Sequence, residues 1–459
     1  MKFNNKITGR LMIGIFLVSA ALAVSYAARM QPARIVEEAV TSDLYGAISL
    51  ARPLPGYQDL VLVYADTKKY QADKLALRIA QAGDAVAVVD TDRALRTFTG
   101  KDCLNADRIM EPLAILSTWA KASPGKQSIL AGLEGSSLLP LLAALTNSGG
   151  ASNNLSVGFS VTLPAGVTVC PPLATEQGQQ GDQVLRASSL PLKGNWQVAW
   201  ADQPDPVTGV FVRGIAGAQT TIEPYNTPMD SVLVNEIARI KEKSGSSQAN
   251  AWPLVEVPAP SPNDTVTLFY SGDGGWRDLD RAVAGQMANL GFPVVGVDAL
   301  RAFWSGKSPA RTAAELSAIM AYYRTAWKAK KFILAGFSFG ADILPAVYNL
   351  LPEADREDIP MLVLLSLGTN ADFEIHVSGW VSTSSNGLPI LPELSRIPGN
   401  KILCIFGQEE RSNSACTTLS TPGAHLLELP GGHHFDQDYA HLATRIIDIY
   451  KQAGLADGK

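Results

Sequence analysis

Short apolar runs alternate with amphipathic stretches along most of the chain. In the first half, LVLVYA at 60–65 and AVAVVD at 85–90 have the length and β-branched content of buried strands. The segments between such runs carry apolar residues at helical spacing. Strands and helices that alternate in this way form parallel βαβ units with right-handed crossovers. The pattern therefore predicts an α/β protein built on doubly wound parallel sheets.

The second half repeats the order of the first. TVTLFYS at 265–271 corresponds to LVLVYA, and FPVVGVD at 292–298 corresponds to AVAVVD. SILAG at 128–132 matches FILAG at 332–336, and Gly-Asn precedes a late apolar run in each half, WQVAWAD and KILCIFG. Because the matches occur in the same order, we predict two α/β domains related by duplication.

The boundary between the two halves is predicted at 251–263. Prolines recur there at short intervals, and proline interrupts both a helix and a central strand. The segment is therefore interpreted as a Pro-rich linker. It separates a first domain at 28–250 from a second domain at 264–459.

Residues 1–27 have the three-part pattern of a secretory signal peptide. A basic start is followed by an apolar run from Leu11 to about Val24, and small residues then offer cleavage after Ala23 or Ala27. An uncleaved membrane anchor is the alternative, because the apolar run is nearly long enough to span a bilayer. Both interpretations predict an exported protein.

Composition and charge narrow the function classes. Hydrophobic residues make up 46% of the chain and charged residues 18%, which excludes a largely disordered protein. The formal net charge is −5 and no long basic run occurs, so no nucleic-acid partner is expected. After the leader, no segment reaches the ~18 consecutive apolar residues of a membrane span.

The sharpest motif is Gly-Phe-Ser-Phe-Gly at 336–340. It follows an apolar run and precedes a helix-compatible stretch at 341–350, which is the context of a nucleophile elbow. The glycines are needed because side chains would clash in the tight turn, and the start of the helix favours negative charge. The motif predicts Ser338 as a nucleophile.

An acid and a base follow in the chain order of α/β-hydrolases: serine, acid, histidine. The strand-like run 401–406 leads into Gly407 and two glutamates, of which Glu410 is favoured and Glu409 is the alternative. An acid three residues after the glycine would project from the carboxyl end of the strand. The carboxylate would orient the catalytic histidine.

The base comes from the glycine-rich segment LPGGHHF near the end of the chain. It supplies His433, which we favour, and His434, which the sequence alone does not separate from it. The other three of the five histidines lie in no comparable loop. The histidine would take the proton of Ser338 and later protonate the leaving alcohol.

An oxyanion hole is predicted from Ser-Gly-Asp-Gly-Gly-Trp at 271–276. Glycines let backbone N–H groups approach a tetrahedral oxyanion, and the N–H groups of Asp273 and Phe339 are the two candidate donors. A phosphate-binding loop is the competing interpretation. It is disfavoured because no Gly-Lys-Ser/Thr follows.

The first half departs from this catalytic pattern. Gly-Leu-Glu-Gly-Ser at 132–136 has Glu134 where the nucleophile would stand, and this half contains no histidine. A catalytic triad is therefore impossible there. We interpret the first domain as a degenerate α/β-hydrolase-like domain. Its role would be packing, recruitment or positioning.

At the catalytic motifs the sequence resembles the AcvB/VirJ family of bacterial virulence proteins. The segments that carry the resemblance are YSGDGGWRDLD, GFSFGAD, the Gly-x-Glu-Glu stretch with a downstream cysteine, and LPGGHHFD. The second half is similar to the VirJ domain, and the two-half arrangement with an exported start is similar to the longer AcvB-like form. The resemblance implies a periplasmic serine hydrolase. We expect it to use no cofactor and no metal.

For AcvB-like members, the resemblance further implies hydrolysis of lysyl-phosphatidylglycerol to lysine and phosphatidylglycerol. The partner would be this aminoacylated phospholipid at the periplasmic face of the inner membrane. Two alternatives stay open. One is an exported carboxylesterase or lipase of other specificity. The other is a non-catalytic accessory factor for secretion-system proteins, against which the complete set of serine, acid and histidine counts.

Four residues are candidates for substrate contacts. Asp342, one helical turn after the nucleophile, would accept an ammonium group, and Gly274 lies in the glycine loop. Arg301 would contact a lipid phosphate, for which guanidinium geometry is favourable, and Trp304 would line the pocket mouth. The alternatives are helix capping for the aspartate and edge packing for the tryptophan.

Export changes the interpretation of the four cysteines, because an even number in an oxidising compartment predicts disulfides. Of the three possible connectivities we favour Cys404–Cys416 together with Cys103–Cys170, one bridge in each half. The Cys404–Cys416 bridge would close a short loop that carries both candidate acids.

Overall fold

The computed structural model describes residues 34–92, 95, 105–123, 126–146, 151–163, 169, 173–177, 183–186, 191–245, 252–376 and 387–453. The predicted leader and the predicted Cys103–Cys170 bridge lie outside these residues. In the described ranges, no helix combines the length and the apolar character that crossing a bilayer requires.

An eight-stranded sheet forms the centre of the first domain, in the order β1-β2-β4-β3-β5-β6-β9-β10. β1 and β2 form an antiparallel hairpin at one edge, and from β4 to β10 each strand is parallel to its neighbour. A separate ribbon pairs β7 with β8. The strands are β1 (Arg34–Ser42), β2 (Gly46–Leu54), β3 (Leu60–Ala65), β4 (Ala85–Asp90), β5 (Ser128–Leu133), β6 (Asn153–Val157), β7 (Thr175–Gln177), β8 (Gln183–Leu185), β9 (Trp196–Trp200) and β10 (Ala218–Ile222).

Helices cover both faces of this sheet, as a doubly wound fold requires. Apolar residues of α2 and α6 pack on one face, and those of α3, α4 and α5 pack on the other. The helices are α1 (Thr67–Tyr70), α2 (Ala72–Gln81), α3 (Ala106–Ala120), α4 (Leu138–Thr146), α5 (Pro206–Gly214) and α6 (Met229–Gly245).

The second domain has a seven-stranded sheet in the order β11-β13-β12-β14-β15-β18-β19. Its strands are parallel except β11, which pairs antiparallel with β13 at the edge. A short hairpin joins β16 and β17. The strands are β11 (Leu254–Val257), β12 (Thr265–Tyr270), β13 (Val294–Val297), β14 (Lys331–Phe337), β15 (Met361–Leu365), β16 (Asn370–Ala371), β17 (Leu388–Pro389), β18 (Ile402–Gly407) and β19 (His425–Leu429).

Helices again cover both faces of the sheet. Apolar residues of α7 and α13 pack on one face, and those of α9 and α10 pack on the other. The helices are α7 (Asp278–Asn289), α8 (Ala299–Phe303), α9 (Pro309–Ala326), α10 (Phe339–Leu350), α11 (Glu353–Glu357), α12 (Ile390–Leu394) and α13 (Tyr439–Gln452).

One detail of the predicted domain boundaries is wrong. β11 lies inside the segment predicted as a linker at 251–263, so the second sheet begins before residue 264. The prolines of this segment flank the strand rather than interrupt it, and β11 sits at the edge of the sheet. An edge strand tolerates neighbouring prolines because one side of it needs no hydrogen-bonded partner.

The two sheets have the same topology. From β2 to β10 the first sheet has the strand order of the whole second sheet, with the antiparallel strand at the corresponding edge. Each sequence match between the halves falls on a topologically equivalent pair: β3 with β12, β4 with β13, β5 with β14, and β9 with β18. The predicted fold class, two α/β-hydrolase-like domains, is confirmed.

Candidate active site

The nucleophile elbow lies between β14 and α10. Ser338 has a φ of 51° and a ψ of −119°, a strained combination for a residue with a side chain. A Cβ atom on Gly336 would lie 2.5 Å from the carbonyl carbon of Gly340, and one on Gly340 would lie 2.3 Å from the Tyr270 oxygen. Both positions must be glycine for the helix to pack this closely on the strands. The turn exposes the Ser338 hydroxyl at the carboxyl edge of the sheet.

His433 links the serine to an acid. Its Nε2 atom is 2.9 Å from Ser338 Oγ, and its Nδ1 atom is 2.5 Å from Glu410 Oε1. The three residues come from the loops after β14, β18 and β19, which meet at one edge because these strands are parallel. The serine, acid and histidine, which are far apart along the chain, are thus joined in one hydrogen-bonded relay.

The two alternative residues point elsewhere. The side chain of Glu409 lies beside Gly432, where an added Cβ would be 2.8 Å from Glu409 Oε2. The Nδ1 atom of His434 lies 3.5 Å from the Tyr439 hydroxyl. The structure therefore brings Glu410 and His433 to Ser338, and it brings neither Glu409 nor His434 into the relay.

The electrostatics of the relay favour a charged acid. Burial opposes ionisation of Glu410, but the hydrogen bond and the charge of His433, with the Ser366 hydroxyl and the Gly407 N–H, outweigh it and lower the pKa of this carboxyl. Burial, with the neighbouring charge of His433, lowers the pKa of His434. A carboxylate that stays ionised can stabilise the imidazolium that forms when His433 takes the serine proton.

The predicted oxyanion loop lies directly against the elbow. A Cβ atom on Gly272 would lie 3.8 Å from Cβ of Ser338, and the loop turns through a hydrogen bond from Gly275 N–H to Gly272 O of 3.1 Å. Asp273 lies within this turn. Phe339 is the first residue of α10, so its N–H has no acceptor within the helix. The loop and the helix start thus place both candidate donors beside Ser338.

The structure contains the disulfide between Cys404 and Cys416. Both cysteines are fully buried, and they bracket the segment that carries Glu410. Within it, the N–H groups of Asn413 and Ser414 donate to the Glu410 carbonyl. The bridge therefore closes a compact loop around the acid.

Removal of this bridge is expected to weaken both stability and catalysis. The double variant Cys404→Ala/Cys416→Ala should lose about 2–4 kcal/mol of unfolding free energy, since the unfolded chain is no longer cross-linked. Its kcat/KM on nitrophenyl acetate should also fall, because the acid loop is less ordered. Urea unfolding and steady-state kinetics measure the two effects. An added reductant should lower the unfolding free energy and the kcat/KM of the wild type but should leave both values of the double variant unchanged. Unchanged kcat/KM in a fully reduced wild type would show that the bridge does not position Glu410.

Asp342 lies one helical turn beyond the nucleophile. Its Oδ1 atom accepts the Gly368 N–H at 2.7 Å. Burial raises the pKa of this carboxyl to about 7; the Gly368 N–H and the charge of His433 oppose the rise, and Asp273 and Glu410 add to it. Asp342 therefore belongs to the electrostatic environment of the relay, and it takes up a proton near neutral pH.

Two predicted substrate contacts are used differently in the structure. Arg301 Nε donates to the Ile222 carbonyl at 2.8 Å, and Trp304 Nε1 donates to the Thr220 hydroxyl at 2.8 Å. Trp304 is only 3% exposed. Both side chains hold the first domain, so Trp304 follows the edge-packing alternative rather than lining the pocket mouth, and the contact of Arg301 with a lipid phosphate stays a prediction. The third candidate, Gly274, lies under the side chain of Arg277.

Some supporting residues escaped the sequence analysis. Asp280 is 3% exposed and accepts the Arg277 N–H, which ties the oxyanion loop to α7. Ser366 directly follows β15 and donates its hydroxyl to the His433 carbonyl at 3.1 Å. A polar residue at the carboxyl end of a predicted strand was a usable signal for Ser366. For Asp280 the sequence offers only an ordinary helix-start acid.

The first domain keeps the shape of an elbow without its chemistry. Glu134 follows β5 with a φ of 47°, which matches the left-handed conformation of Ser338. Its carboxylate accepts hydrogen bonds from Lys69 Nζ at 2.5 Å and from the Tyr70 hydroxyl at 2.7 Å. An ion pair thus occupies the place of the nucleophile, in agreement with a degenerate domain.

Comparison with known proteins gives one family match. Residues 264–454 match the family described as "Bacterial virulence protein (VirJ)". No curated protein matches the chain.

Among solved structures, three similar ones are esterase Est1E from Butyrivibrio proteoclasticus with ferulic acid bound, MenH from Staphylococcus aureus, and the fluorophosphonate-binding serine hydrolase FphF from Staphylococcus aureus. Est1E shares 12% identity over 44% of this chain and 94% of its own, with a TM-score of 0.33. MenH shares 14% over 44% and 98%, with a TM-score of 0.33. FphF shares 12% over 46% and 99%, with a TM-score of 0.32.

The matched range of the family covers every part of the relay. It runs from the strand before the oxyanion loop to the end of the last helix, and so includes Ser338, Glu410 and His433. The first domain lies outside it. The second domain, over residues 264–454, therefore matches the VirJ family of bacterial virulence proteins.

Proposed function

We propose that the chain is an exported, periplasmic serine esterase that hydrolyses the aminoacyl ester of lysyl-phosphatidylglycerol. The observation that carries the esterase is the hydrogen-bonded relay Ser338–His433–Glu410 beside a glycine-rich oxyanion loop. The lipid substrate rests on the resemblance to AcvB-like members and on the acidic group next to the nucleophile.

The reaction proceeds in two halves. His433 takes the Ser338 proton as the oxygen attacks the ester carbonyl, and the N–H groups of Asp273 and Phe339 stabilise the oxyanion. His433 then protonates the glycerol oxygen, and phosphatidylglycerol leaves. A water molecule, deprotonated by His433, releases lysine from the acyl-serine. Every proton transfer uses the Ser338–His433–Glu410 relay, and the two oxyanion donors lie beside it.

Asp342 supports a cationic acyl group. The α-ammonium of an aminoacyl ester is bonded to the carbon next to the scissile carbonyl, so it must lie close to the nucleophile. Asp342 lies in the first turn of α10, and its N–H donates to the Ser338 carbonyl at 2.9 Å. Its remaining oxygen, Oδ2, would accept the ammonium while Oδ1 holds the Gly368 N–H.

The test is direct hydrolysis of the lipid. Purified protein is incubated with vesicles that contain lysyl-phosphatidylglycerol, and released lysine and phosphatidylglycerol are measured together. The expected result is stoichiometric release, and a deletion strain should accumulate the aminoacylated lipid. Cleavage of nitrophenyl acetate without cleavage of the lysyl lipid would move the assignment to a carboxylesterase of other specificity. Failure on both substrates would favour a non-catalytic role.

Asp342→Asn is expected to lower kcat/KM for the lysyl lipid about 10- to 150-fold more than for nitrophenyl acetate. The reason is the loss of a charge-assisted hydrogen bond of about 1.5–3 kcal/mol. Steady-state kinetics of wild type and Asp342→Asn on both substrates measure this difference in kcat/KM. Asp448→Asn, an exposed aspartate on α13, is the matched control and should leave both values unchanged. Equal losses on the two substrates would make Asp342 a structural residue.

The same residue makes a pH prediction. Because the pKa of Asp342 is raised to about 7, the carboxylate is charged above this pH and neutral below it. The advantage of wild type over Asp342→Asn on the lysyl lipid should therefore grow as pH rises through about 7. The comparison is restricted to the pH range in which the ammonium group of the substrate stays protonated. A ratio that stays flat from acidic to alkaline pH would contradict ammonium binding by Asp342.

A further inference from the structure

The first domain contacts the second domain next to its oxyanion loop. Asp202 follows β9 and Tyr225 follows β10, so both residues come from the carboxyl edge of the first sheet. Arg277 Nη1 donates to Asp202 Oδ1 at 3.1 Å, and the guanidinium carbon lies 5.1 Å from the centre of the Tyr225 ring. An ion pair and a cation–π contact thus hold one arginine of the catalytic domain.

Arg277 in turn lies on the oxyanion loop. A Cβ atom on Gly274 would be 2.6 Å from Nη2 and 2.9 Å from Nε of Arg277, so the guanidinium packs directly on the backbone of Gly274. Gly272 packs on the nucleophile elbow from the other end of the segment. The backbone that carries the Asp273 N–H is therefore held between Ser338 and Arg277.

Among the described residues, the hydrogen bonds that shape this loop come from within the catalytic domain. Gly275 N–H donates to Gly272 O, and the N–H of Arg277 donates to the buried Asp280 carboxylate at 3.4 Å. These bonds define the turn and the start of α7. Asp202 and Tyr225 add a restraint from the first domain, and this restraint acts on the side chain of Arg277.

A second contact zone between the domains lies away from the loop. Arg213 donates to the Trp304 carbonyl at 2.7 Å and stacks on the Trp304 ring at 4.3 Å, and the Trp200 and Trp304 rings lie 5.8 Å apart. This zone joins the domains through α5 and α8. Arg213→Gln offers a matched control, because it also removes an arginine contact between the domains, but at Trp304 beyond the end of α8, whereas the part of α8 that packs on the loop is Leu300 against Gly275.

We propose that Asp202 and Tyr225 of the first domain are positioning residues for the catalytic site of the second domain. By holding Arg277 on Gly274, they keep the Asp273 N–H directed at the oxyanion. A donor of this kind stabilises a transition state only if it is oriented before the charge develops. The degenerate domain thereby contributes to a reaction that it can no longer catalyse. Only the kinetic part of the inference rests on the proposed esterase function.

The kinetic test compares three variants of the full chain on nitrophenyl acetate. Asp202→Asn should lower kcat about 10-fold with little change in KM, a smaller loss than the ~10²–10³-fold of a deleted oxyanion donor. Asp202→Glu, which keeps the charge, should restore most of kcat. Arg213→Gln should change kcat by less than about twofold, as contacts away from a site usually do. Equal kcat in wild type and Asp202→Asn would overturn the proposal.

Amide hydrogen exchange tests the positioning without reference to activity. Asp202→Asn should speed exchange in residues 272–277 and leave the rest of both domains near wild type, whereas Arg213→Gln should leave 272–277 protected. Faster exchange throughout both domains would mean that the pair serves only domain packing, and unchanged exchange in 272–277 would also reject the proposal. If wild type cleaves no ester, the proposed function fails. Faster exchange confined to 272–277 in Asp202→Asn would still support the positioning role of Asp202 and Tyr225.

Discussion

Ser338→Ala is expected to reduce hydrolysis by about 10⁴-fold or more on every ester that the wild type cleaves. The hydroxyl oxygen is the atom that forms the bond to the acyl group, and its proton is the one that His433 Nε2, at 2.9 Å, takes in the first half of the reaction. Steady-state kinetics on nitrophenyl acetate and on the lysyl lipid measure the loss. Because alanine removes one oxygen from a strained turn, the thermal midpoint should be unchanged or slightly higher.

Ser395→Ala is the matched control for this variant. Ser395 is exposed and its hydroxyl only donates to the Pro392 carbonyl, so its removal should leave kcat/KM at the wild-type value. A fluorophosphonate probe should label wild type and Ser395→Ala but not Ser338→Ala. Near wild-type turnover in Ser338→Ala would rule out the covalent mechanism.

His433→Ala and His434→Ala are expected to differ by about three orders of magnitude in kcat. His433 bridges the serine and the acid, and loss of such a base usually costs about as much as loss of the nucleophile. His434 lies outside the relay: its Nδ1 atom is 3.5 Å from the Tyr439 hydroxyl and its ring packs beside Phe337 and His433. Its removal should cost about tenfold or less by loosening the loop. The two variants are measured separately on one substrate under one buffer.

The pH profile adds a check on the base. In wild type, kcat/KM should rise with pH on the acidic limb of the profile, because only an unprotonated group can act as a general base, and His434→Ala should keep this limb. Similar mild losses in both variants would mean that neither histidine is the base. A larger loss in His434→Ala than in His433→Ala would require another conformation of the loop.

Much of the fold could be predicted from local pattern. The buried strands are short apolar runs, and the amphipathic segments between them can cover a sheet only from its two faces. Duplication was visible because equivalent strands kept both their composition and their order. The edge strand β11 was missed because its four residues lie between prolines and carry no alternation long enough to separate them from a linker.

The composition of the site followed from motifs, but the choice between neighbours did not. Glu409 and Glu410, or His433 and His434, are adjacent residues of one chemical type. Which of each pair faces Ser338 depends on how the loops after β18 and β19 pack on each other. Glu409 N–H donates to Gly431 O, and this contact between loops turns the side chain of Glu410 toward His433.

The sequence by itself determined the fold class, the duplication, the order of the catalytic groups and the loss of chemistry in the first domain. These depend on periodicity and on residue identity, which are local properties of the chain. Tertiary structure alone decided that Arg301 and Trp304 hold the first domain and that Arg277 joins Asp202 to the oxyanion loop. Asp202 and Arg277 are 75 positions apart and lie in different sheets' loops, so no local pattern relates them. Contacts of this kind exist only once two separately folded sheets have packed against each other.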